Sequence, residues 1–427
     1  STKSLNKQNI SYNNTSFDIG SVNILENENR VPINYVLPPG VQREEINANN
    51  SIIRQNEQSL SVKIENLNPG DSRAVYKNLD FDMRQYKRLK MYIHAESLEG
   101  SPKLPGLGAN EDYDKRLVGF IRLGSDFSEN YYQIEVPLTP TDYNESASNR
   151  LSSEAVWQPD SNSIDFLLEK LTKLKALTID GSVNSINTVY FNENLEIIDE
   201  YESISSLPGD KKYKFAIKGN PSIGSIKSLM IGVKNPSLTP GDILSGEVWF
   251  NELRLSEIDG KGGWAALGSV DANLADLGNV SFSGKISTIG FGSIDKTPNQ
   301  RSREELRQYG FVGSIDFGRF LPTKWGVQIP IAYSINNQTS TPEYDPYYQD
   351  IKLNERLNSS TRSSQRDSIN NQAIAYKQSK NISLIGLRKN RSEGQKERIY
   401  DIENFDFSYS YNQELEHDFE IENLTKK

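Results

Sequence analysis

The chain of 427 residues has no cysteine, only two histidines, three methionines and no long apolar run. Without Cys there is no disulfide framework, thiol nucleophile, iron–sulfur centre or Cys-ligated zinc. His94 and His417 stand at opposite ends of the chain, which argues against a multi-His metal site or a His-dependent triad. No apolar stretch approaches the roughly 20 residues of a membrane helix. The motifs G-x-S-x-G, Walker A, H-E-x-x-H and the EF-hand loop are also missing. Positive charge is in deficit: 48 Lys and Arg face 57 Asp and Glu, a net charge of −9. That balance argues against a general nucleic-acid binder, whose phosphate affinity rests on clustered cations. Most enzyme classes lose their chemistry here, and the expectation is a protein that is not an enzyme.

Aromatic residues are plentiful. Hydrophobic content is only 35 %, yet 21 Tyr and 16 Phe are too many for a disordered chain. Length suggests two or three domains. Ser1 to Asn14 is polar, with neither a starting Met nor a signal peptide, and the expectation is a piece of a longer polypeptide.

Three regions follow from composition and period. Residues 1–50 read as an extended, Asn- and Ser-rich lead-in with a stiff stop at Pro38-Pro39-Gly40. Residues 51–262 read as short strands between turn residues, a jelly-roll-like β-sandwich. Leu89, Met91, Ile93 and Ala95 fall on one face, with Lys90, Tyr92 and His94 on the other. Period two is the strand signature, since successive side chains point to opposite faces. One helix interrupts the strands: Ile164, Leu167, Leu168, Leu171 and Leu174 recur at helical spacing, with Ser163 as N-cap. Loops at 98–114 and 139–161 are long and rich in Gly, Pro, Asn and Ser.

Beyond Gly262-Gly263 the pattern changes, and residues 263–427 read as membrane β-strands with long polar loops. Trp325, Val327, Ile329, Ile331 and Tyr333 occupy one face of an alternating stretch that ends at Ile335. A tilted strand needs roughly 9–11 residues to cross a bilayer, so this stretch suffices. Arg at Ile329 is expected to cost about 2–4 kcal/mol if that residue meets lipid near the midplane. Val280 to Ile286, Phe311 to Phe317, Ile382 to Leu387 and Phe405 to Tyr411 alternate similarly. Ser302 and Glu305 have capping-box spacing, which predicts a short helix between two of these strands. A second soluble sandwich with one wet face accounts for the same alternation, so a secreted or surface adhesin that binds glycans remains the alternative.

Candidate chemistry is sparse. Gly260-Lys261-Gly262-Gly263-Trp264-Ala265 loosely fits a dinucleotide fingerprint, but strand and turn residues follow where a helix is needed, so a linker is expected. No carboxylate pair is singled out for glycoside hydrolysis. Asp126, Asn251 and Glu252 are candidate oxygen ligands for a structural Ca²⁺, a hard ion that takes six to eight oxygens. Tyr131, Tyr132 and Trp157 would form a sugar-stacking platform if exposed, or fill a core if buried. The basic stretch Arg388 to Arg398 is interrupted by Glu393 and Glu397 and reads as a solvated loop.

Several phrases carry a resemblance. They are Tyr35-Val-Leu-Pro-Pro-Gly40 with Val41-Gln-Arg-Glu44, and Phe120-Ile-Arg-Leu-Gly-Ser-Asp126 with Asn130-Tyr-Tyr-Gln-Ile-Glu135. Gly246-Glu-Val-Trp-Phe-Asn-Glu-Leu-Arg-Leu255 follows, and then Ser287-Thr-Ile-Gly-Phe-Gly-Ser-Ile-Asp-Lys-Thr-Pro298 with Arg301-Ser-Arg-Glu304. In this order they resemble the SprA (Sov) family, the outer-membrane translocon of the type IX secretion system, needed in gliding bacteria. The resemblance implies an all-β chain in the bacterial outer membrane. Its sandwich would be inserted into a giant barrel that passes folded cargo. The largest barrel size known, about 36 strands, is this family's own case. Implied partners are secreted cargo, a lipid-anchored barrel-type shuttle, a periplasmic plug and outer-membrane lipid.

Overall fold

A computed structural model describes residues 2–4, 14–48, 51–106, 116–142, 150–179, 181–260, 262–297, 300–359, 362–391, 394 and 398–427. It is an all-β chain of antiparallel sheets, divided into units of residues 1–259 and 260–427.

The first unit is built from two sheets. One runs, edge to edge, β1 (Thr2–Ser4), β6 (Ser72–Phe81), β14 (Ile226–Lys234), β8 (Val118–Gly124), β9 (Tyr131–Pro137), β13 (Lys214–Lys218), β11 (Val189–Phe191) and β12 (Ile197–Ile198). The other runs β10 (Ile164–Leu167), β7 (Tyr86–Ser97), β15 (Leu244–Ile258), β5 (Gln58–Leu67) and β2 (Ser16–Asn23). A separate hairpin joins β3 (Glu45–Ala48) to β4 (Ser51–Arg54). One core fills the space between the two sheets. Met91, Ile93 and Val248 from the five-stranded sheet pack with Ile121, Ile134 and Phe215 from the eight-stranded one.

The lead-in is more than an extended tail. Its Ser16–Asn23 segment is the edge strand β2, registered on β5 from Ser16 opposite Glu65 to Asn23 opposite Gln58. After the short helix α1 (Ile24–Asn27), the chain lies over the outer face of the five-stranded sheet, where Ile33 and Tyr35 are fully buried.

Two helix expectations need correction. Residues 164–167, expected to open a helix, form β10, with Ile164 opposite Met91 and Phe166 opposite Leu89. Ile164 and Phe166 alternate into the core at the open edge of β7, and that ladder outweighs helical spacing. Ser163 instead closes the short helix α3 (Pro159–Asn162), which follows α2 (Ser153–Trp157); the longer helix α4 begins only at Glu169 and ends at Ile179. Ser302 caps no helix either. Its hydroxyl accepts from the Glu304 N–H at 3.3 Å, and the chain enters a strand at once.

The second unit is one meandering sheet: β16 (Ala265–Asn273), β17 (Gly278–Ser287), β18 (Glu304–Asp316), β20 (Pro330–Pro342), β21 (Ala375–Lys389), β22 (Phe407–His417) and β23 (Glu422–Lys426). The two-residue β19 (Val327–Gln328) pairs with β21 off this path. Helices α5 (Leu353–Ser359) and α6 (Ser363–Ala373) fill the long connection after β20. The four hydrophobic core clusters found among the described residues all lie in the first unit.

Candidate functional site

Antiparallel register decides which side chains of the second unit share a face, because directly paired residues point the same way. Phe282 pairs with Phe311, and Phe311 with Ile335. One row further along, Gly313 pairs with Tyr333, Tyr333 with Ile382, and Ile382 with Tyr411. The next row is Ile315, Ile331, Leu384 and Tyr409. One face of the sheet therefore carries a continuous aliphatic and aromatic belt across five strands. Its side chains stay half-buried or exposed, with Phe282 52 % and Tyr409 55 % accessible. The reverse face carries Ser281, Val312, Ser334, Asn381 and Asn412 in register.

The border of the belt runs obliquely. The first polar residue beyond it is Arg307 on β18, Asn337 on β20, Lys380 on β21 and Gln413 on β22. In register, Asn337 is level with Tyr309, Lys380 with Ile335, and Gln413 with Lys380. The border thus slips four residues over three strand steps. With a rise of about 3.3 Å per residue and about 4.8 Å between strands, the strands cross the belt about 40° from its normal. An amide–hydroxyl cluster marks the border: Gln378 Nε2 donates to Asn337 Oδ1 at 2.7 Å, and Tyr376 OH donates to the same oxygen at 3.3 Å.

The alternating stretch from Trp325 to Ile335 is not one strand. Trp325 ends a 3-10 turn closed by Gly326, whose φ of +60° lies in the left-handed region that glycine enters without strain. Val327 sits in β19 opposite Lys389. Ile329 lies at the break, where its N–H donates to Asp316 Oδ1 at 2.9 Å and its carbonyl accepts from the Phe317 N–H. Ile331 and Tyr333 stand within β20 and in the belt. No helix among the described residues is long and apolar enough to cross a membrane, which does not bear on strands.

The candidate calcium ligands are not brought together. Asp126 lies in the turn between β8 and β9. Its Oδ1 accepts from the N–H groups of Ser128, Glu129 and Asn130, and its Oδ2 accepts from Asn130 Nδ2 at 2.9 Å. Slight burial pushes its carboxyl up, but these hydrogen bonds outweigh it and hold the pKa down at about 2. Asn251 and Glu252 sit in the other sheet, on β15, where Asn251 Nδ2 donates to Tyr35 OH at 3.3 Å and to Glu57. Among the described residues, no group of three or more His, Cys, Asp or Glu could hold a metal ion.

Burial decides between the two readings of the aromatics: Tyr131, Tyr132 and Trp157 are all inside and fill the core. Of the basic stretch, Lys389 pairs with Glu403 at 3.0 Å and Arg391 with Asp401 at 3.4 Å, while Glu393, Lys396 and Glu397 lie outside the described residues. Parts of both long loops, 107–115 and 143–149, lie outside them too.

A buried polar cluster lies on the side of β7 and β15 that faces away from the main core. On the outer face of the five-stranded sheet, Arg30 NH2 lies 2.8 Å from Glu247 and Arg30 NH1 lies 3.0 Å from Glu96. Glu247 also accepts from Ser61 and from Trp249 Nε1. His94 stacks on Trp249 with ring centroids 4.1 Å apart, and its Nε2 lies 3.3 Å from Glu96. Burial pushes the Glu96 carboxyl up, yet hydrogen bonds from His94 and Arg30 hold it below the usual range. Trp157 Nε1 donates to the Val36 carbonyl, so the lead-in and α2 close over the cluster together. The alternation of His94 and Glu96 on β7, and of Glu247 and Trp249 on β15, was the one signal of it in the sequence.

No curated protein matches the chain. The family model described as "Motility related/secretion protein" matches residues 2–357. The match takes in the whole sandwich, strands β16 to β20 of the meander, and the first five residues of the helix α5 that follows β20. A match over that share of the sequence makes the chain a member of the SprA_N family of motility-related and secretion proteins.

Proposed function

We propose that the meandering sheet is a stretch of the wall of a bacterial outer-membrane barrel, the translocon of the type IX secretion system, through which folded proteins reach the cell surface. The belt faces lipid and the Ser- and Asn-rich face lines a wet passage. The slant of the belt carries this reading. Strands of transmembrane barrels tilt about 35–45° from the membrane normal, and the apolar layer follows the membrane plane, so its border must step from strand to strand. A soluble sandwich would cover such a face with a second sheet, whereas no described belt residue joins a core cluster. Transport through the passage is passive, with no bond chemistry. Cargo, a shuttle barrel, a periplasmic plug and outer-membrane lipid are the partners.

Edges set a condition on this function. β16 and β23 are the ends of the sheet. An unpaired backbone group in hydrocarbon costs several kcal/mol, so the wall needs further strands on both sides before it can enter a bilayer.

These 427 residues contain no Cys, so with any cysteine elsewhere in the whole protein replaced, a single introduced thiol reports its surroundings cleanly. In cells making the whole protein, Y333C and I382C should react with a lipid-dissolved maleimide and resist a charged, water-soluble one. S334C and N381C should show the reverse. Equal labelling of both sets by the water-soluble reagent would sink the proposal.

A further inference from the structure

We infer that the face opposite the belt is a low-adhesion surface that passes folded protein cargo without selecting it by charge; this deepens the wall reading and rests on it. From β17 to β22 the central row of that face reads Ser281, Val312, Ser334, Asn381 and Asn412. The rows directly above and below add only Ser, Asn, Gly and Ala from β17 through β21. No charge and no aromatic ring stands in this area, although the chain is 25 % charged and 10 % aromatic.

Surfaces that hold proteins have the opposite composition. Binding patches are enriched in Tyr, Trp, Met and Arg and depleted in Ser and Ala, and the residues that dominate affinity are aromatic or Arg. Short hydroxyl and amide side chains offer little apolar area to bury, so a passing protein gains little by leaving water. Without fixed charge, the surface neither attracts nor repels cargo of one sign.

The charges on this face surround that area: Glu414 on β22 stands in the row next to Asn412, opposite Ser379, and Asp316 ends β18. Asp271 lies on the edge strand β16, opposite Ser281. Lys285, Lys377 and Glu416 share a row nearer the end of the sheet, where Lys377 lies 3.4 Å from Glu416 and 3.5 Å from Glu414. Two carboxylates face the one ammonium of Lys377, so this group keeps a net charge of −1 at the margin. The contrast with the belt face is chemical: greasy and aromatic outward, small and neutral inward.

The test uses the whole protein in its own cells and one folded reporter bearing the native secretion address. The reporter is made in an acidic and a basic surface version that differ by about ten charges. Unaltered protein should export both at rates within about twofold of each other. Replacing the row with acid (S281D, S334D, N381D, N412D) or with base (S281K, S334K, N381K, N412K) should move the acidic-to-basic rate ratio about threefold or more, in opposite directions. A strong charge preference in the unaltered protein overturns the inference, and that measurement needs no variant to fold. Single substitutions S334D and S334K that reach the surface yet leave the ratio unchanged, together with an unmoved ratio in both rows, overturn it as well. If the S334C thiol is shut off from water, the wall reading fails along with it; if that thiol is reached and the ratio stays fixed, only this inference fails.

Discussion

Arg30 and Glu96, separated by 66 residues, meet beneath the lead-in of the first unit, where both terminal nitrogens of the guanidinium reach the one carboxylate. The contact fastens a segment that sequence alone left as a tail to the middle of a sheet. Glu96 is buried, so its charge depends on partners rather than on water.

Arg30→Met should therefore destabilise the sandwich by about 3 kcal/mol, because it leaves two carboxylates of the cluster without their cation. Adding Glu96→Gln and Glu247→Gln to the same chain should return part of that loss. Urea unfolding of the parent chain and both variants measures it, and an unchanged midpoint for the single variant would show the lead-in to be only loosely attached.

Acid should loosen the turn between β8 and β9. The folded-state pKa of Asp126, about 2, lies below the ordinary 3.8, so the folded form binds fewer protons between these values. Its contribution is complete above about pH 4 and disappears as pH falls through 2. Melting curves of the parent chain and Asp126→Ala should converge over that interval. A constant gap from pH 5 to pH 2 would contradict the assignment. Glu96, also depressed, adds loss in the same acid direction.

Helix α4 offers a packing test. Leu171 is fully buried in the main core, while Lys173 pairs with Glu169 on the surface at 2.7 Å. Leu171→Ala should cost about 2–5 kcal/mol from lost contacts and the cavity left behind. Lys173→Ala should cost about 0.3–0.5 kcal/mol, the worth of an exposed ion pair one helical turn apart. Equal losses in denaturant unfolding would mean that the helix does not dock as described.

On the second unit, the two faces should answer differently to the same substitution. Ile331→Arg places a charge in the belt and should cost about 2–4 kcal/mol of barrel stability near the midplane. Ala332→Arg, its neighbour on the other face, should be far milder. Heat-modified gel mobility of the whole protein, read with surface exposure, gives the comparison. Ile331 is a better probe than Ile329, which sits at a strand break.

Alternation makes the strands legible from the residues alone. The core face of β7 follows directly from Leu89, Met91, Ile93 and Ala95, because period two has one meaning wherever one side of a strand is buried. The belt strands were readable for the same reason, and phrases near Asp126 and Trp249 pointed to the family. What one strand cannot express is its neighbour. Register alone aligns Phe282 with Phe311 and Ile335, and only that alignment turns separate dyads into a slanted band.

Composition determined the negative half of the description: no thiol or multi-histidine chemistry and little attraction for nucleic acid. Tertiary structure decided what covers each face. Spacing placed His94 opposite the Leu89 to Ala95 face without saying what covers it; the lead-in buries it with Glu96, through Arg30, which reaches Glu96 and Glu247. Ile164 looked helical until the open edge of β7 supplied a ladder. Local pattern records which side chains avoid water, whereas their shelter depends on chain segments far away in sequence, and only folding brings those together.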